Sequence, residues 1–233
     1  MDDFKLLFGI DKDAIKSTCV LVPFLNKDMM SGFGVKNVKK AKLYGVAQKE
    51  DFSLIYTGVG TALLGDCALY LERTKCENII LFGSCGLVKA AKPLSIGSII
   101  CPDKCYSFES FSDMLHKDHK VKVFYPDKGL REKLISHSAS IKQVSCATLG
   151  SIKLEERYID YFIKNGIDAV DMECSALFSA AAFISRKAAA VLYVSDIIKE
   201  KPFYEGLGFE DEASLSSCAQ NAARLLTGFI KSL

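Results

Sequence analysis

The chain has 233 residues, 49% of them apolar and 25% charged, and its 30 Lys+Arg against 28 Asp+Glu leave a formal charge of +2. That mix excludes disorder and collagen-like architecture. A charge so near zero excludes a broad electrostatic drive toward nucleic acid or an anionic membrane.

Nine cysteines (19, 67, 76, 85, 101, 105, 146, 174 and 218) are odd in number and irregular in spacing, and no C-x-x-C occurs. They read as small core hydrophobes in a reducing compartment, with no metal site. The acidic start Met1-Asp2-Asp3 leads into no long apolar run, and no stretch of 18 apolar residues exists. The expectation is a cytoplasmic protein without a membrane partner.

In chain order, Cys19–Val22 is expected as a buried strand ended by Pro23, followed by strands at Lys42–Val46 and Phe52–Tyr56. Thr61–Arg73 carries Leu63, Leu64, Cys67, Ala68 and Leu71 on a helical face. Asn78–Phe82 is a buried strand that leads directly into Gly83-Ser-Cys-Gly86. Ser98–Cys101 is a strand stopped by Pro102, Val121–Tyr125 a further short one, and Gly129–Ser138 a helix. The alternation continues with a strand at Val144–Leu149, a helix at Lys153–Asn165 capped by Gly166, and a strand at Ala169–Met172. A helix at Ser175–Lys187 and a central apolar strand at Ala188–Val194 follow. Residues 199–210 form a loop rich in glycine and aromatics, and Ser214–Lys231 is a closing amphipathic helix. The lysine-rich stretch 36–42 is a solvated face. Strands alternating with helices, without a linker or internal repeat, predict one domain: a three-layer α/β/α sandwich on a central mixed, mostly parallel sheet.

The first chemical motif, Tyr56-Thr-Gly-Val-Gly-Thr61, joins a strand to a helix. A dinucleotide loop would need glycine at position 63, which is Leu. Backbone amides at such a helix start can still hold an oxyanion or a hydroxyl-rich ligand. Gly83-Ser-Cys-Gly86 leaves a strand at its carboxyl end, where α/β sheets bind ligands, and Ser84 offers a hydroxyl there. Cys85 as a nucleophile would need a base, and the three histidines (His116, His119, His137) lie in polar stretches. Cys85 therefore reads as a packed small residue, and His116 and His119 as surface residues.

The informative pair lies later. Val170-Asp-Met-Glu173 ends a strand and opens a helix, and Val194-Ser-Asp196 ends the most apolar strand. Taken singly, Glu173 could be a helix-start charge favoured by the macrodipole and Asp196 a helix N-cap. Two carboxylates at the ends of successive buried strands, with Gly83-Ser84 on a third, favour a shared crevice.

In order and spacing, Thr57-Gly-Val-Gly60, Gly83-Ser-Cys-Gly86, Val170-Asp-Met-Glu173 and Val194-Ser-Asp196 resemble the nucleoside phosphorylase and nucleosidase superfamily. The likeness covers residues 52 to 233. It implies an enzyme that cleaves the N-glycosidic bond of a nucleoside, chiefly a purine nucleoside. By the same resemblance, Asp196 would hydrogen-bond or protonate N7 of the leaving base, Glu173 would bind the ribose hydroxyls and Met172 would pack beneath the sugar. Ser84 would face the nucleophile, Gly60 would lie beside the sugar, and Phe203 in the loop Pro202–Phe209 would flank the base and the 5′ end. Asp28 would stand where the nucleosidases place the glutamate that activates water, and Leu149 or Thr148 where the family stacks an aromatic on the base.

The chain departs from the phosphorylases at Leu81, where they carry a phosphate-binding arginine, and in its first loop, Pro23-Phe-Leu-Asn26. These departures tilt the expectation toward hydrolysis, with no cofactor and with inorganic phosphate as the alternative co-substrate. The family implies a homo-oligomer, a dimer or hexamer. Two rival readings stay open: a non-catalytic nucleoside-binding protein on the same fold, and a dinucleotide enzyme with an incomplete glycine fingerprint.

Overall fold

A computed structural model describes residues 3–116 and 122–233. Met1, Asp2, His119 and Val121, which entered the sequence reading, lie outside them. The elements begin α1 (Asp3–Phe8), β1 (Thr18–Val22), α2 (Lys27–Phe33), β2 (Lys39–Lys40), β3 (Gly45–Gln48), β4 (Ser53–Tyr56) and α3 (Thr61–Tyr70). They continue β5 (Asn78–Leu87), β6 (Ile99–Phe108), α4 (Phe111–His116), β7 (Val123–Phe124), α5 (Lys128–His137) and β8 (Ile141–Leu149). The last are α6 (Ile152–Lys164), β9 (Ala169–Asp171), α7 (Cys174–Phe183), β10 (Lys187–Ile197) and α8 (Phe209–Ile230).

All these strands join one mixed sheet. β1 runs parallel to β4 and β5, and β5 parallel to β10. β6, β8 and β9 are parallel to one another, and the longest ladders, β5 with β10 and β6 with β8, are parallel. Antiparallel pairs are short: β2 with β3, β3 with β4, β5 with β9, β6 with β7 and β6 with β10. Because β10 pairs with both β5 and β6, the strands β5, β9, β8, β6 and β10 close into a ring, from which β1, β4, β3 and β2 extend on one side and the short β7 on another.

Side chains of the central strands alternate between two cores. Cys19, Leu21, Ile79, Leu81, Ala190 and Leu192 enter one, with α1, α3 and α7. Val20, Val22, Ile80, Phe82, Val191 and Tyr193 enter the other, with α2, α5 and α8. That alternation is why β1 and β10 read as continuous apolar runs: both faces are covered. All nine cysteines are buried and unbridged.

Several expected boundaries move. β5 does not end before Gly83 but continues through Gly86 to Leu87, because β10 pairs with it throughout. Likewise Asp196 is not an N-cap; it lies within β10. Pro102 does not stop β6: the ladder with β8 shifts register between Pro102 and Lys104, which absorbs the missing N–H donor. The strand expected at Lys42–Val46 begins only at Gly45, and α8 begins five residues early, at Phe209. The helices α1, α2 and α4 are additions to the sequence reading. His116 is not a free surface group; its ring stacks on Phe124 and its Nε2 lies 3.0 Å from Ser179 Oγ.

Candidate active site

At the carboxyl ends of β5, β9 and β10 lies a cavity of about 400 Å³. Its walls include Ser84, Cys85 and Gly86 of β5, Asp171, Met172 and Glu173 between β9 and α7, and Ser195 and Asp196 of β10. Pro23, Phe24, Val59, Ile152 and Phe203 supply apolar surface, and Glu155 reaches in from the first turn of α6. Among the described residues, no Lys, Arg or His lines it.

Asp196 is aimed by an irregularity in its strand. β10 follows β5 in register as far as Val194, paired with Cys85, and resumes at Asp196, paired with Gly86. Ser195 is the extra residue, and such a bulge re-aims the following side chain. A Cβ at position 86 would lie 2.9 Å from Asp196 Oδ2, so only glycine leaves the carboxyl its place. Ser195 Oγ lies 2.6 Å from Asp196 Oδ1 and 3.2 Å from the Cys85 carbonyl oxygen. Its one proton can serve either acceptor, so the hydroxyl can support Asp196 in both protonation states. Asp196 is 6% exposed, and burial raises its pKa against the Ser195 hydrogen bond.

Glu173 is the residue before the first turn of α7, yet its side chain does not cap that helix. Its Oε1 instead accepts the Gly60 amide over 2.6 Å. Gly60 has φ +104°, a conformation open to glycine, and this turns its N–H away from α3 and toward Glu173. The cap of α7 is Asp171. Its Oδ2 accepts the amides of Glu173 (2.9 Å) and Cys174 (2.6 Å), and its Oδ1 accepts the Thr148 hydroxyl (2.6 Å). Burial, and next the Asp171 charge, push Glu173 up to about 8. Asp171 is raised by burial too but receives three donors that favour its charged form, so the proton shared by the pair resides on Glu173.

Glu155 is pushed up to about 8 by burial, then by Asp196 and Asp171. The Cys85 thiol is raised by burial, Asp171 and Asp196, which leaves it a neutral packed group. Beneath the cavity, ligand atoms of Cys105, Cys146 and Asp171 lie within 4.8 Å of one another, the one grouping of metal-ligating types among the described residues. Burial raises the Cys105 thiol; Cys146 is lowered by its hydrogen bond with Cys105 but raised on balance by Cys174 and by burial; Cys105 Sγ lies 3.0 Å from Thr148 Oγ1 and Asp171 is already engaged, so this is a hydrogen-bonded packing cluster.

Of the residues named from sequence, Asp196, Glu173, Met172, Ser84 and Phe203 come together here, and Gly60 stands behind Glu173. Two do not. Asp28 lies outside the cavity: Asn26 caps α2 through Met29 N, and on the following turn Asp28 Oδ2 accepts the Ser216 hydroxyl of α8 at 2.8 Å. Leu149 ends β8 and lines a neighbouring cavity with Tyr106, Phe108, Tyr158 and Tyr161. Asp171 and Glu155 were missed. Asp171 carried a readable signal, an acidic residue three positions before a helix start. Glu155 carried none, sitting in the polar run Leu154-Glu-Glu-Arg157.

A family model described as the phosphorylase superfamily matches residues 33–231. The chain belongs to the phosphorylase superfamily. No curated relative matches the sequence. Among solved structures, a uridine phosphorylase from Vibrio fischeri has TM-score 0.78 at 18% identity, with 95% of this chain and 94% of that one covered. A 5′-methylthioadenosine/S-adenosylhomocysteine nucleosidase from Neisseria meningitidis has TM-score 0.69 at 16% identity, covering 93% and 100%. The futalosine hydrolase of Helicobacter pylori has TM-score 0.69 at 14% identity, covering 94% and 99%. At such identities the likeness establishes the mixed α/β fold. The superfamily membership fits an enzyme that is either a nucleoside phosphorylase or a nucleosidase, and these neighbours include both kinds. No helix among the described residues is long and apolar enough to cross a membrane.

Proposed function

We propose that the protein hydrolyses the N-glycosidic bond of a purine nucleoside. The observation that carries this reading is one cavity holding the buried Glu173 and Asp196, each 6% exposed, with no cationic side chain in its lining among the described residues. Glu173 binds the ribose hydroxyls once ionised, and its charge favours the oxocarbenium character that develops on the sugar. Met172 packs beneath the sugar, and Phe203 flanks the ligand from the mouth. As the C1′–N bond breaks, its electron pair passes to the base, and Asp196 donates a proton to N7. Water adds to C1′ from the side of Ser84, and the proton it releases restores Asp196. The raised pKa of Asp196 supports its role as a donor.

The choice of water over phosphate follows from charge. Four acidic residues contribute to the lining of the cavity, Leu81 stands where the phosphorylases hold an arginine, and a phosphate dianion would meet no counter-charge among the described residues. The reading needs no cofactor. It takes the fold as a one-domain three-layer α/β/α sandwich, and the protein as a cytoplasmic homo-oligomer, dimeric or hexameric.

The test is incubation with adenosine, inosine and methylthioadenosine, with and without phosphate, followed by assay of free base. Equal release in both conditions supports hydrolysis, and release only with phosphate makes phosphate the co-substrate. One observation favours a second reading, a nucleoside-binding protein without turnover: Asp28, the expected base for water, is held by Ser216 away from the cavity. Ligand-induced thermal stabilisation with no release from any nucleoside would select it.

A further inference from the structure

Thr148, one of the two residues expected to stack on the base, does not line the cavity; it lies beneath it, fully buried. On β8 it stands in register with Ser107 of β6 on one side and Asp171 of β9 on the other. Its hydroxyl donates to Asp171 Oδ1 over 2.6 Å and accepts the amide of Ser175 over 2.8 Å. An ionised carboxylate can only accept, so the Cys105 thiol, 3.0 Å away, is left to donate to the hydroxyl. Every bonding position of this side chain is in use.

The result is a collar around the first turn of α7. Asp171 takes the amides of Glu173 and Cys174, and Thr148 takes the next one, that of Ser175. A third side chain follows the end of β6: Glu109 Oε1 accepts the Ser175 hydroxyl at 2.9 Å. Glu109 is itself fixed, since its oxygens also accept the hydroxyls of Ser107 (3.1 Å) and Ser112 (2.6 Å) and the Phe111 amide (2.6 Å). The strands β6, β8 and β9, adjacent in the sheet, thus each lead to one side chain on the turn that carries Glu173. A helix start is ordinarily capped by one side chain. Here the further ties from β8 and β6 also set where the turn stands on the sheet. We propose that Thr148 is a positioning residue for Glu173: with the Glu109–Ser175 bond as its second support, it fixes the turn from which the ribose carboxylate projects. This rests on the nucleoside reading above, in which Glu173 meets the hydroxyls of the sugar.

The test reads the far end of Glu173. The Gly60 amide donates to its Oε1, so the Gly60 proton resonance of the ligand-free full chain reports where that carboxyl stands. Glu173→Ala gives the resonance of the amide without this partner. Thr148→Val, which nearly keeps the side-chain shape and removes the hydroxyl, should move the Gly60 resonance toward that value. Thr148→Ser, which keeps the hydroxyl, should leave it at its wild-type place. Because α3 packs on α7, the amides of Leu64 and Cys67 are the control and should not move. Ser175→Ala removes the tie to Glu109 and should give a smaller shift in the same sense; it also carries the test if the valine variant fails to fold. In the Asp196→Asn protein, which lacks the proton donor, calorimetric titration with adenosine and inosine measures binding. Thr148→Val should lower the affinity roughly threefold to tenfold, the scale of one hydrogen bond, and Thr148→Ser should leave it unchanged. A Gly60 resonance that stays in place in the folded variants, a shift spread evenly over α3, or a bound nucleoside whose affinity does not change overturns the proposal. A Gly60 resonance that moves as expected in a protein that binds neither nucleoside would instead remove the nucleoside reading and leave the placement of Glu173 by Thr148 standing.

Discussion

The Gly60 amide donates to Glu173 Oε1 over 2.6 Å, joining the loop after β4 to the start of α7 across 113 residues of sequence. This one bond orients the carboxylate assigned to the ribose. It depends on the positive φ of Gly60, where no neighbouring atom stands within 4 Å of an added Cβ. The obstacle to a side chain at position 60 is therefore backbone strain rather than crowding. Gly60→Ala is expected to raise KM for nucleosides about tenfold or more, the scale of a hydrogen bond to a charged group, with a smaller effect on kcat. Steady-state kinetics check it, and an unchanged KM would remove the Gly60 bond from substrate binding.

Gly86 and Asp196 form the matching pair at the other end of the cavity. A methyl group at position 86 meets Oδ2 at 2.9 Å, so Gly86→Ala must push the carboxyl out of line. Asp196→Asn keeps the shape and removes the proton donor. Both variants should lower kcat by about 10²–10⁴-fold, and the Asn variant should still bind nucleoside. Calorimetric binding beside turnover separates the two effects. Turnover by Asp196→Asn at the wild-type rate would take Asp196 out of the reaction.

Glu173 and Asp196 were legible because each stands at the carboxyl end of a buried apolar run, Glu173 just after β9 and Asp196 in the last residues of β10, and a strand end fixes where a side chain stands. The closing of β5, β9, β8, β6 and β10 into a ring was not legible, since pairing of β10 with both β5 and β6 is a long-range property. That closure brings the first turn of α6 over the cavity. It explains why Glu155, one acidic residue in a polar run, gave no sign of itself. Asp28 failed to reach the cavity for the converse reason. Its spacing from β1 fitted, but the direction of its side chain is set by the Asn26 cap and by α8, which follows it by nearly two hundred residues. Gly83-Ser-Cys-Gly86 looked like a loop because glycine is rare in strands; here it pairs within β5 and leaves room for Asp196.

Asp171 supports Glu173 without touching the proposed ligand site through its own oxygens, which the Thr148 hydroxyl and two backbone amides occupy. In Asp171→Asn the amide group must face one of these donors, so a loss of about 1–3 kcal/mol in stability is expected. The same change removes the charge that raises Glu173, so its pKa should fall below about 8. The pH profile of nucleoside binding distinguishes this positioning role from simple destabilisation. An inflection that stays in place while stability drops would mean that Asp171 serves the fold alone.

Glu155 and Glu173 also make a stability signature. Each has an ordinary value of 4.5 and is raised to about 8 in the folded chain, so between these limits the native state binds more protons than the unfolded one. Their contribution is fully present below about pH 4.5 and is lost as pH rises through 8. The wild type should therefore melt at a lower temperature at pH 9 than at pH 6. The double variant Glu155→Gln, Glu173→Gln, whose side chains cannot ionise, should lose less on the same change, and its stability relative to the wild type should be greater at pH 9 than at pH 6. Gln at position 173 still offers an oxygen to the Gly60 amide, so the fold keeps that tie. Calorimetric melts at pH 6, 7.5 and 9 measure the slopes, and equal slopes for the two proteins would show that these carboxyls are not held in their neutral form.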